Sequence, residues 1–144
     1  GISSMKKLVF IFLAFTLVSC SNSKQEKLDF LNNVKSIQKK RDILNDNKYS
    51  GDYEYNYDNY QILLIETQKL ETIENYPTSE TLKELLITGI NKDINEIKYN
   101  KEAKNKLDSK VIDIMILLFA GEYLKSKENI YKIIETEISL NDLK

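Results

Sequence analysis

Few side chains in this 144-residue chain are equipped for covalent or metal chemistry. Histidine is absent and Cys20 is the single thiol. A Ser-His-Asp or Cys-His arrangement therefore cannot be assembled, and a zinc site, which draws on imidazole and thiolate, has almost nothing to use. No glycine-rich phosphate loop occurs. A carboxylate pair such as Glu66 and Glu71 has the groups a glycoside hydrolase needs, yet nothing in the sequence distinguishes it from the other acids. Asp52, Glu54, Asn56 and Asp58 are spaced by two, as calcium ligands often are. An EF-hand loop beginning at Asp52 would require glycine sixth and glutamate twelfth, where this chain has Tyr57 and Leu63. Beginning at Asp46 puts Gly51 sixth but Lys48 third and Tyr57 twelfth. The sequence thus points to a non-enzyme with no metal and no cofactor, built for contact.

The clearest contact chemistry lies between Tyr49 and Tyr60, where five of the nine tyrosines alternate with Asp52, Glu54 and Asp58. Tyrosine combines a large contact area with a hydroxyl and is enriched at binding hot spots. Period-two alternation predicts an extended segment with Tyr53, Tyr55 and Tyr57 on one side and Asp52, Glu54 and Asn56 on the other. Tyr49, Tyr53, Glu54, Tyr55 and Asp58 are accordingly the candidate partner-binding residues, suited to a cationic protein or a glycan. The plainer alternative is that Tyr57 and Tyr60 open a helix and pack inward while the remainder is solvated loop.

The elements that must carry this segment are helical. Leu28, Leu31, Val34 and Ile37 recur every third residue, with Phe30 and Leu44 widening the stripe, which predicts an amphipathic helix. Asn45 to Gly51 reads as a turn. Tyr60, Leu63, Leu64, Thr67 and Leu70 predict a second helix from about Tyr57 to Asn75, ended by Pro77. Thr78 or Ser79 is expected to cap a third, whose Leu82, Leu86, Ile90, Ile94 and Ile97 carry it to Lys98, with Gly89 a possible bend. Ser109 is expected to cap the next. Its Val111–Ala120 run is apolar nearly all round except for Asp113, which predicts the central helix of the bundle. A last helix is marked by Ile130, Ile133, Ile134 and Ile138 after a corner at Ser126 or Lys127. The expectation is an all-α fold: a compact bundle of four to five mostly antiparallel helices occupying residues 27–144 as one domain.

Charge narrows the partners. Lysine outnumbers arginine twenty to one, Arg41 being the sole arginine, and one proline accompanies four glycines. The skew is that of an AT-rich genome, and so few breakers disfavour a turn-rich β fold. Lys24–Arg41 holds six basic residues against two acidic ones, whereas Asp46–Glu80 holds eight acidic against two basic. A basic stretch of this kind can lie against anionic lipid or simply form a solvated helix face. The overall balance, −1, argues against nucleic acid, which favours basic stripes.

Met5-Lys6-Lys7, the apolar run Leu8–Val18 and the small Ser19 before Cys20 have the layout of a secretory signal peptide over residues 5–19. This run of eleven residues, broken only by Thr16, is too short for a transmembrane anchor, which needs roughly 20 apolar residues. Gly1–Ser4 precede Met5 and are set aside as an expression scar or upstream translation. Leu17-Val18-Ser19-Cys20 resembles the lipobox of bacterial lipoproteins. That resemblance implies cleavage before Cys20, lipidation of its thiol with acylation including palmitate, and a short polar tether over residues 20–26. It also implies a membrane held through the lipid, an envelope location, and, because Ser21 is not aspartate, the outer membrane in preference to the inner. Loss of Lys6 and Lys7 would take the net charge from −1 to −3. In signal and composition the chain is similar to small helical surface lipoproteins of spirochaetes and other AT-rich bacteria. The functional expectation is a membrane-anchored, non-enzymatic protein-binding module. The alternative is a periplasmic immunity or inhibitor lipoprotein that neutralises a toxin or lysozyme-like enzyme, its acidic, tyrosine-rich loop plugging a basic active site.

Overall fold

The computed structural model describes residues 2–141, and their side chains over residues 23–141. Among the described residues four helices follow one another: α1 (Ile2–Asn47), α2 (Tyr53–Gln68), α3 (Pro77–Ala103) and α4 (Ser109–Leu140). The all-α expectation holds, with four helices rather than five. Cys20 and the lipobox lie outside the residues whose side chains are described. Among the described residues no helix is long and apolar enough to cross a membrane.

Local chemistry explains where each helix begins. Gly51, at φ +94°, reverses the chain after α1, and the Asp52 carboxylate accepts the Glu54 N–H at 3.0 Å, satisfying one orphan donor of α2. That cap starts α2 four residues earlier than the Tyr57 expected from hydrophobic spacing alone. The helix also ends sooner, at Gln68, because Leu70–Tyr76 is held as a loop. The Ser79 hydroxyl accepts the Ile73 N–H at 2.9 Å and donates to the Tyr76 carbonyl at 2.8 Å, and Lys83 Nζ donates to the Leu70 carbonyl at 2.7 Å. Ser79 is therefore not the cap of α3. Tyr76 is, and Pro77 occupies the first helical position, where its missing N–H costs nothing. Asp108, one residue before the Ser109 expected, caps α4 by accepting the Lys110 N–H at 2.8 Å.

Neighbouring helices run antiparallel. α1 and α3 touch across the diagonal, while α2 and α4 make no mutual contact among the described residues. Leu31, Val34 and Ile37 of α1 meet Tyr60 and Leu63 of α2, Leu82, Leu86, Ile90, Ile94 and Ile97 of α3, and Ile130 and Ile134 of α4 in one core. The α3 stripe expected from spacing is buried along its whole length. Each such aliphatic side chain contributes about 1.5–3 kcal/mol on leaving water.

The expected central helix is where the structure departs from the sequence reading. α4 continues without a corner through Ser126 and Lys127, and not one residue from Val111 to Ala120 is buried. Val111, Ile114, Leu117 and Leu118 are 43%, 57%, 72% and 58% exposed. Val111, Ile114 and Leu118 lie on the side of α4 opposite the buried Tyr123, Ile130 and Ile134, and Ile112, Ile116 and Phe119 on the inner side are only half-buried because of the length of α1. It ends at Asn47, and Lys48 pairs with Glu96 at 2.6 Å; three residues later on α3, Tyr99 packs edge-on against Phe119 with ring centroids 6.0 Å apart. The part of α4 before Phe119 therefore rises past the end of α1, beyond the helix that covers its lower half.

Candidate functional site

Three groups of side chains stand out, beginning with a polar cluster inside the bundle. Arg41 on α1 donates through Nε and Nη2 to both oxygens of Asp93 on α3, at 2.6 and 3.2 Å, and through Nη1 to Ser126 Oγ at 2.9 Å and Gln38 Oε1 at 3.3 Å. Its guanidinium lies 4.6 Å from the centre of the Tyr123 ring. Such a two-pronged pair needs arginine's planar fork, and lysine could not replace it. On the other side of the cation, Gly89 lets α3 approach: a Cβ there would sit 2.8 Å from the guanidinium carbon. Gly89 thus serves as the gap that admits Arg41, in place of the bend anticipated from sequence.

One turn past Asp93 on α3, Glu96 forms a second buried pair with Lys48 at 2.6 Å, with the Tyr49 hydroxyl donating to the same carboxylate. On the α4 side, Asp42 accepts from the hydroxyls of Tyr123 and, at 3.0 Å, Tyr131, with Lys127 Nζ 3.7 Å away. Burial pushes the Asp93 carboxyl above its ordinary range, an effect Arg41 and Lys48 only partly offset. Burial, reinforced by the carboxylates they face, also raises the phenols of Tyr49, Tyr60, Tyr76 and Tyr123 well above their ordinary value, and that of Tyr131 to about 12. Each donates a hydrogen bond only as the neutral phenol, apart from Tyr60, whose buried hydroxyl has no partner among the described residues. This cluster fastens α1, α3 and the lower half of α4 together.

The second group is the surface above the cluster. A groove of about 680 Å³ runs between α3 and α4. Tyr99, Met115 and Phe119 form its apolar wall, and Lys92, Asn95 and Asn129 line it with polar groups. It adjoins the exposed Val111–Leu118 face. An apolar helix surface beside a groove with polar edges is the geometry by which helical peptides and helix faces are recognised, and exposed patches of this kind mark interaction sites.

The third is a cleft of about 770 Å³ at the opposite end, between α1 and the loop after α2. Glu26, Asp29, Glu66, Glu71 and Glu74 line it against the single cation Lys69. Glu66 also holds Lys40 at 2.8 Å.

The five residues expected to form one tyrosine-rich patch are not brought together. Tyr53, Glu54, Tyr55 and Asp58 lie on α2, so the extended, alternating arrangement is corrected to a helical one. Tyr53 stacks on Tyr57 at 5.8 Å under Lys101 Nζ, 4.1 Å from its ring centre. Glu54 pairs with the same lysine at 3.3 Å. Tyr55 is 67% exposed and Asp58 is exposed, while the Tyr49 hydroxyl is engaged with Glu96. Asn56, one of the positions weighed for calcium, is buried and donates to the Asn47 carbonyl at 3.3 Å, bracing the turn. Sequence reasoning noted Arg41 only as the sole arginine and Gly89 only as a bend, and passed over Asp93. The available signal was that one arginine persists among twenty lysines, at a site where lysine cannot substitute.

Comparison with protein-family models, with curated proteins and with solved structures finds no match to this chain.

Proposed function

We propose that this chain is a lipid-anchored, non-enzymatic protein-binding module of the bacterial envelope, held by Cys20 and engaging its partner through the upper half of α4. The observation that carries the reading is the exposed Val111–Ala120 stretch. Ten consecutive residues, nine of them apolar, lie in a well-formed helix and none is buried. Exposing that much apolar surface opposes solubility, and a protein partner relieves it. The neighbouring groove adds apolar contact through Met115 and Phe119 and orienting polar groups through Lys92 and Asn95. The anchor and this face sit at opposite ends. α1 rises about 36 Å from Ser23 to Asn47, and the upper half of α4 lies beyond its end, so the binding face is carried away from the membrane.

Two measurements test the two parts separately. Cys20→Ser should abolish palmitate labelling and move the chain from the membrane to the soluble fraction; an unchanged distribution overturns the anchor. A photo-reactive residue at Leu117 of the full chain should form a protein adduct in cells, whereas one at the equally exposed Ile62 of α2, 63% exposed, should not. Equal yields at the two positions would remove the binding face.

A second reading, an immunity or inhibitor lipoprotein, is favoured by the five-carboxylate cleft, whose charge suits a basic enzyme surface. Protease treatment of intact cells separates the two settings. A surface module is digested, and a periplasmic inhibitor is spared.

A further inference from the structure

The groove between α3 and α4 changes character along its length. It runs from Leu85 to Tyr99 on α3 and from Asn129 to Met115 on α4, a rise of about 21 Å on each helix. One end is apolar, where Tyr99 packs edge-on against Phe119 beside Met115. Farther along, the floor is the Arg41–Asp93 pair, and Ser126 accepts from the same guanidinium. Lys92 precedes Asp93 and Lys125 precedes Ser126, so two lysines stand on facing helices at the level of Arg41, and both line the groove. Both are exposed, and neither has an ion-pair partner among the described residues. The acids of the floor are already matched, Asp93 by Arg41 and Glu96 by Lys48. Glu122, the remaining acid of the lining, lies about one turn nearer the apolar end than Lys125. Arg41 itself has a donor to spare. Of the five N–H groups of a guanidinium, Nε, both of Nη1 and one of Nη2 are used. The other Nη2 hydrogen has no acceptor among the described residues, although Arg41 is 1% exposed and borders the groove.

Surplus cationic donors at one level and an aromatic wall at the other suit a ligand that is anionic at one end and apolar at the other. We propose that this groove holds an acidic amphipathic helix of the partner, with its apolar residues on Tyr99, Met115 and Phe119 and its carboxylates at Lys92, Lys125 and the remaining Arg41 N–H; the inference rests on the reading of a protein-binding module. Length selects a helix over a small molecule, because about 21 Å accommodates roughly four helical turns. Spacing agrees. A helix seated in a groove presents its anchors at i, i+3, i+4 and i+7, and Lys92 lies two turns from Tyr99 on α3. An apolar residue on the Tyr99–Phe119 pair therefore brings an acid two turns away beside the lysines. Glu122 fixes the direction: the reversed helix would carry its acids toward that carboxylate and set apolar residues against Lys92 and Lys125. A basic helix is disfavoured, since it meets like charge at both lysines. The carboxylates that would attract it line the cleft at the opposite end.

Fluorescence anisotropy of the full chain with two labelled peptides of about 14 residues tests this. Both peptides carry leucines at helical spacing in their first two turns; one carries glutamates in the last two turns and the other lysines. The glutamate peptide should bind about tenfold more tightly, and added salt should shrink that preference. Lys92→Glu combined with Lys125→Glu should reverse it. Lys35→Glu combined with Lys132→Glu, the same change of charge at exposed positions outside the groove, should leave it intact, and helical circular dichroism should match across the set. Equal binding of the two peptides, or the same loss of preference in both double variants, overturns the acidic helix. So does a glutamate peptide that binds as tightly after its leucines are replaced by serine, which would assign the lysines to a small anion. The photo-reactive residue at Leu117 reads the underlying function separately. If the peptides show no preference while that adduct persists, the binding face stands with a partner of other chemistry; if the adduct is absent too, both readings fall.

Discussion

The two halves of α4 handle polarity in opposite ways. Below Gly121 the helix sends polar groups inward: Tyr123 is buried, Ser126 accepts from Arg41, and Tyr131 donates to Asp42. Above Gly121 it turns Val111, Ile114, Leu117 and Leu118 outward. Hydrophobicity alone would assign the halves the other way round, with the apolar run at the centre and the polar stretch at a corner. Partner availability decides the matter. The lower half faces α1, whose Arg41 and Asp42 satisfy its hydroxyls, and a buried polar group with its hydrogen bonds made is stable. Before Phe119, α4 extends past the end of α1, so even its inner Ile112, Ile116 and Phe119 are only half-buried, while Val111, Ile114 and Leu118 lie on the face that stays exposed farther down the helix.

The contrast is sharpest at the buried arginine. Asp93→Ala leaves the Arg41 guanidinium inside the bundle without its counter-charge, which should cost about 3–5 kcal/mol. Glu128→Ala, at an exposed acid of α4, should change stability by less than about 0.5 kcal/mol. Urea denaturation of the two variants compares them, and equal midpoints would remove the buried pair from the account.

Alkaline pH should weaken the lower half next. The tyrosines that fasten it are neutral in the fold, with phenol values raised above the ordinary 10.0. Their contribution is complete below that value and is lost as pH climbs through the raised ones, the window for Tyr131 running from 10.0 to about 12. Phenolate absorbance of these residues should therefore appear together with loss of helical circular dichroism. Full phenolate absorbance from a chain that stays folded would show that they are not held as described.

The glycines carry the comparison to smaller effects, and in opposite directions. Gly89→Ala forces a methyl against a guanidinium that Asp93, Gln38 and Ser126 hold in place, and the overpacking should cost about 1–3 kcal/mol. Gly121→Ala meets open space and should stabilise the helix by about 0.5–1 kcal/mol. Thermal unfolding should show opposite signs, and stabilisation by Gly89→Ala would mean that the guanidinium is free to move.

Much of the core was legible because its signals are local. The three- and four-residue steps of Leu82, Leu86, Ile90, Ile94 and Ile97, with Pro77 ahead of them, describe α3 closely. The start of α2 was misjudged because the alternating tyrosines imitate a strand, while one side-chain cap at Asp52 is enough to make them helical. Arg41 looked like one more cation on the solvated face of α1. Its partner Asp93 lies 52 residues away, and no local pattern announces such a pair. The upper half of α4 was hidden for a different reason. An outward apolar row and a stripe directed at the core use the same residue types at the same spacing, and only the packing of the bundle distinguishes them. Of the candidate site, the tyrosines were visible as a composition, and their dispersal over α2 and the Glu96 pair was not.

Hydrogen exchange along α4 in the full chain tests the central claim most directly. The account predicts that amides of Val111–Ala120, none of whose side chains is buried, exchange faster than those of Tyr123–Ile134, which pack on the core. Equal protection of the two halves would contradict it.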